Sequence, residues 1–133
     1  MKPEVLVVDD EPGVCWALEN VLTRSGFEVT TAYTGEEVVF LLEDHTYEVA
    51  FVDAKLPDID GMQLASEMAR LDARPAVVLI SGYYYGEDRA VQGGLEAGLI
   101  IGFIAKPFSL EEVREMVKVG VDVSQQRKVA IRT

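Results

Sequence analysis

At 133 residues, 49% of them hydrophobic, the chain can close a single core without disulfides or structural metal. A formal charge of −11 argues against nucleic acid and anionic membrane surfaces as direct partners, since both are held by Lys and Arg. The lone cysteine, Cys15, cannot form an internal disulfide, and Val5 to Val8 are too few apolar residues for a signal peptide or a span, so a cytoplasmic location is expected.

Val5-Leu6-Val7-Val8 reads as a strand buried on both faces and ends on Asp9-Asp10-Glu11. Pro12 suits a first helical turn, and Val14, Ala17, Leu18, Val21 and Leu22 repeat at helical spacing until Gly26 stops the helix. Glu28 to Ala32 is a short strand. Thr34 and Glu37 form a capping box that opens a helix with Val38, Leu41 and Leu42 inward. Val49 to Asp53 is a third buried strand, and a turn with Pro57, Asp58, Asp60 and Gly61 leads to a helix from about Gly61 to Leu71.

Beyond Arg74-Pro75, Ala76 to Ile80 forms a strand ending on Ser81-Gly82. A helix is expected from beyond Gly86 to about Ala97, although Gly93-Gly94 interrupts it at roughly 1 kcal/mol per glycine. The run Tyr83-Tyr84-Tyr85 ahead of it is read as loop packing. Gly102 to Ala105 is the last strand, and Ser109 with Glu112 caps a closing helix lined by Leu110, Val113, Met116 and Val117. The polar stretch 123–133 is expected as a tail or the start of a linker, leaving residues 1–122 as the domain. Strand and helix alternate five times, which predicts an α/β fold: a flavodoxin-like, doubly wound, five-stranded parallel sheet of order 2-1-3-4-5 with five helices.

In such a sheet the chemistry gathers at the carboxyl ends of the strands. Four runs end on Asp9-Asp10, Asp53, Ser81 and Lys106. Two charges ~4 Å apart repel by about 4 kcal/mol at an effective dielectric near 20, so the acid cluster calls for a cation. Carboxylate oxygens describe a Mg²⁺ site, and Lys106 adds a second positive charge. Carboxylate nucleophile, metal and ammonium are the parts that phosphoryl transfer needs. Cys15, Trp16 and His45 have no such company and are assigned structural or surface roles.

With Val7-Val8-Asp9-Asp10-Glu11, Asp53 followed by Leu56-Pro57-Asp58-Ile59-Asp60-Gly61, Ser81-Gly82 and Lys106-Pro107-Phe108 in this order, the chain resembles a response-regulator receiver domain of two-component signalling. The resemblance implies that Asp53 accepts a phosphoryl group from a histidine kinase or phosphotransfer protein. It implies that Asp10, Asp53 and the backbone carbonyl of Lys55 bind Mg²⁺, with Asp9 acting through a metal-bound water. Lys106 and Ser81 would hold the phosphate, Phe103 would be the aromatic switch, and the Lys106-Pro107 bond would be cis. The output would pass through the fourth helix, last strand and last helix, with a phosphorylation-dependent homodimer as one form. The protein would then be a signalling switch rather than an enzyme, limited to its own phosphorylation and dephosphorylation.

Three rivals fit less well. A haloacid-dehalogenase-like phosphotransferase needs an Asp-x-Asp pattern after the first strand and a cap. A nucleotide-binding module needs a Gly-rich fingerprint or a P-loop. A degenerate receiver used for docking needs no intact Asp53, Ser81 and Lys106. Lys55, two residues beyond Asp53, bears on the lifetime of the phosphorylated state, and Phe103 lacks the hydroxyl of the commoner tyrosine.

Overall fold

The computed structural model describes residues 2–82 and 88–132, the last two by their main chain alone. The Tyr83 to Tyr85 run lies outside the described residues. The elements are β1 (Glu4–Val8), α1 (Pro12–Arg24), β2 (Glu28–Ala32), α2 (Gly35–Leu42), β3 (Val49–Asp53), α3 (Gly61–Met68), β4 (Ala76–Ser81), α4 (Arg89–Glu96), β5 (Gly102–Ala105) and α5 (Leu110–Arg132).

The strands form one parallel sheet in the order β2-β1-β3-β4-β5. Successive side chains point to opposite faces, which explains the unbroken apolar runs: each strand must feed two cores. Leu6, Val8, Val52 and Leu79 pack with Val38, Leu64, Met68 and Val91 on the side of α2, α3 and α4. Val5, Val7, Phe51 and Ile80 pack with Leu18, Leu22, Val113 and Val117 on the side of α1 and α5. Among the described residues, Phe51 is the largest fully buried side chain. Burying such a ring contributes about 1.5–3 kcal/mol.

Helix boundaries follow local chemistry. Gly26, at φ 95°, takes the left-handed conformation just past α1. Thr34 Oγ1 accepts from the N–H of Glu37 at 3.1 Å, and the Glu37 carboxylate returns to the N–H of Tyr33 at 2.7 Å. Helix α3 stops at Met68, short of Leu71, because the chain tightens: Arg70 N donates to Glu67 O and Leu71 N to Met68 O.

Two elements differ from the sequence expectation in an informative way. The Gly93-Gly94 pair sits inside α4 without ending it. A Cβ on Gly94 would stand 2.7 Å from Met62 Sδ and 3.3 Å from Ile100 Cγ1, so this glycine lets α4 close on the core. The polar stretch after Asp122 is helical through Arg132, not a frayed tail. Ser124 is buried there, Gln125 Nε2 and Lys128 Nζ reach Glu48 Oε1 at 3.1 and 2.9 Å, and Arg127 donates to the Pro75 carbonyl at 3.4 Å. Those partners lie far back in the chain, so local polarity does not reveal them.

Candidate functional site

Strands β1 and β3 are neighbours in register, Val8 beside Val52, so the residues that follow them emerge side by side. Asp9 comes out fully buried, Asp53 nearly so, and Asp10 exposed. One strand further, Asp53 pairs with Ile80, which places Ser81 beyond it, and Ser81 in turn pairs with Ala105. Lys106 follows, anchored by its N–H on the Ser81 carbonyl at 2.9 Å.

The ammonium of Lys106 ties this edge together. Its Nζ stands 2.9 Å from Asp9 Oδ2, 3.1 Å from Asp53 Oδ1 and 3.2 Å from Glu11 Oε1. Glu11, quoted in the sequence only as part of the acidic run, is thus a third partner of the lysine. Asp9 Oδ1 also accepts from the N–H of Glu11 at 2.9 Å, and Asp53 Oδ2 faces the N–H of Lys55 at 3.4 Å. Burial raises the carboxyl of Asp9 above its ordinary value, with Lys106 only partly opposing it. Burial, then the charge of Asp9, raises Asp53 as well. Burial works to lower the Lys106 ammonium, but its contacts with Asp9 and Asp53 prevail and raise it. Each group therefore carries the mark of the others.

A cleft of about 580 Å³ opens over these groups, lined by Asp10, Glu11, Asp53, Lys55, Leu56, Pro57, Gly82 and Lys106. Ser81 lies buried beside it, and Phe103, half-buried, packs on the α2–α4 side. The Lys106–Pro107 peptide bond is cis. Cys15 proves to have company after all: its thiol donates to the Asp9 carbonyl at 3.2 Å, and burial, then Asp9, pushes it up to about 11. A reactive role would call for the opposite shift, so the thiol packs beneath the site.

The donor set suits a hard divalent cation. Asp9, Asp10 and Asp53 each offer a carboxylate oxygen, and these three lie within 4.8 Å of one another. Asp9 Oδ2 is buried and, although beside the ammonium, accepts no well-aligned hydrogen bond. Its lone pairs are available to a further positive charge or to water held by one.

The model of the response regulator receiver domain matches residues 5–118. The chain belongs to that family. As a receiver it is 29% identical over 118 residues to sporulation initiation phosphotransferase F of Bacillus subtilis, covering 89% of this chain and 93% of that protein. It is 35% identical over 116 residues to the transcriptional regulatory protein PrrA of Mycobacterium tuberculosis, covering 87% of this chain and 48% of the relative. The chain thus spans nearly all of the first and about half of the second. A CheY-like receiver domain from Methanospirillum hungatei shares the fold at a TM-score of 0.82 and 23% identity, with 95% of this chain and 98% of that one covered. Receivers of response regulators serve phosphorylation-dependent two-component signalling, and the flavodoxin-like order of this sheet is theirs. No helix among the described residues is long and apolar enough to cross a membrane.

Proposed function

We propose that Asp53 accepts a phosphoryl group from the phosphohistidine of a sensor kinase or phosphotransfer protein, and that this switches the domain between two states. One observation carries the reading: the Lys106 ammonium bridges Asp9 and Asp53, whose carboxylates lie within 4.8 Å of that of Asp10, at an open cleft. An Asp53 oxygen attacks phosphorus, a P–O bond forms, and the P–N bond breaks with its electron pair returning to the imidazole. The product is an acyl phosphate, which water later cleaves to inorganic phosphate and the free carboxylate.

Asp10, Asp53 and the Lys55 carbonyl are the groups that would hold Mg²⁺ directly, with Asp9 acting through water. Bound there, the ion supplies neutralisation of charge on the transferred oxygens. Lys106 moves from pairing with Asp53 to pairing with the phosphoryl oxygens, and the Ser81 hydroxyl donates to them. These contacts exist only in the phosphorylated state, so they alone can shift the population. The shift reaches α4, β5 and α5 with Phe103 changing rotamer, and a homodimer through that face is one outcome. The domain itself is placed in the cytoplasm, meets a kinase or phosphotransfer protein rather than nucleic acid as its direct partner, and turns over no substrate beyond its own phosphate.

Incubation with Mg²⁺ and acetyl phosphate tests this. The expected result is a mass gain of one phosphoryl group that Asp53→Asn abolishes. Turnover of many phosphoesters would point instead to a hydrolytic enzyme, and no reaction would point to a docking domain. Light scattering with beryllofluoride reads the dimer.

A further inference from the structure

The turn between β3 and α3 is tied at its tip to a helix that does not adjoin it in sequence. Asp58 Oδ1 accepts from the N–H of Gly35 and Oδ2 from that of Glu36, each at 2.9 Å. These are the first two amides of α2, which have no partner within their own helix. The chain's own N-cap, Thr34, takes only Glu37. Contact is close: a Cβ on Gly35 would collide with the Ile59 side chain. The two N–H groups hold the Asp58 carboxyl below the usual carboxylate range, so it stays charged and engaged at neutral pH.

The base of the same turn is the site itself. Lys55 and Asp60 face each other in an antiparallel bridge, and Leu56 N donates to Ile59 O at 3.3 Å. Asp60 caps α3 through the N–H of Met62 at 2.8 Å, and Gly61 N donates to Ala54 O at 2.8 Å. Residues 55–60 therefore form one cross-braced unit, and the position of its tip is passed to its base.

We infer that Asp58 is a positioning residue for the cation site: by capping α2 it sets the turn and, with it, the backbone carbonyl of Lys55. The inference rests on the reading of Lys55 given above and extends it to a residue that touches neither cation nor phosphate. Groups that orient a metal ligand commonly contribute about 10–100-fold to metal affinity.

The test compares Asp58→Ala with Thr34→Ala, which removes a cap from the same end of α2 without touching the turn. Mg²⁺ is titrated into each protein while the amide resonances of Asp53 and Lys55 are followed. Asp58→Ala should weaken Mg²⁺ about tenfold or more, and Thr34→Ala should stay within about twofold of wild type, since losing a cap alone leaves the ligands in place. Asp58→Asn, which keeps one acceptor oxygen, should recover part of the loss. In the metal-free proteins, amide exchange at Leu56 should quicken in Asp58→Ala and not in Thr34→Ala. Equal affinities in Asp58→Ala and wild type, or equal losses in the two alanine variants, would overturn the positioning role while leaving the cation site standing. A wild type that binds Mg²⁺ no better than Asp53→Asn would remove both.

Discussion

Gly61 lies directly on the backbone of Asp53: a Cβ built there would run into the Asp53 carbonyl and stand 2.8 Å from Ala54 Cα. Because the obstacle is main chain, no side-chain movement can relieve it. Gly61→Ala should push the first turn of α3 off the end of β3, at about 1–3 kcal/mol as for other overpacked sites. Urea unfolding measures this, and an unchanged midpoint would show that the two segments are not in contact.

Burial and the neighbouring Asp9 raise the carboxyl of Asp53 above its ordinary 3.8. The native state then binds that proton more tightly than the unfolded chain does. Its favourable contribution is complete below the unfolded value and is lost as pH rises through the native one. Without metal, Asp53→Asn should be more stable than wild type near about pH 7, and the gap should close toward about pH 4. Thermal melts at both pH values decide; a gap of constant size would mean that the crowding at Asp53 is not electrostatic.

Lys106→Met leaves Asp9 and Asp53 facing each other without their shared cation. Removing one partner of a buried pair costs about 3–5 kcal/mol. Asp9, already raised by burial, would rise further, so the variant should regain stability as falling pH protonates it. A variant as stable as wild type at neutral pH would show that the ammonium is not what offsets the buried charge.

The two adjacent glycines of α4 should respond differently. A Cβ on Gly93 meets nothing within 4 Å, so Gly93→Ala should stabilise the protein by about 0.5–1 kcal/mol through helix propensity. Gly94→Ala places its methyl against Met62 and Ile100, and the gain should vanish or reverse. Chemical denaturation of the two variants side by side settles it, and identical shifts would mean that α4 does not approach Met62.

Much of this protein was legible from local patterns. Apolar runs of four or five residues specify strands buried on both faces, and helical spacing of Val14, Leu18 and Leu22 specifies the side of α1 that meets the sheet. A parallel sheet sends all its strands the same way, so Asp9, Asp10, Asp53 and Lys106 were bound to share an edge once the alternation was recognised. Thr34 and Ser109 announce their helices because a cap and the amide it receives lie three residues apart.

What the tertiary structure alone decided depends on partners distant in the chain. Asp58 looks like any turn aspartate until α2 is brought to it, and Cys15 looks unconnected to the site until its thiol is found on the Asp9 carbonyl. The polar end of α5 stays helical because Glu48 and the Pro75 carbonyl receive it, and Gly94 lies where a methyl could enter α4 only if the Met62 thioether moved aside. Sequence periodicity records which side of an element is buried; it does not record which side chain waits across the gap, and hydrogen bonds and close contacts act only over that last few ångströms.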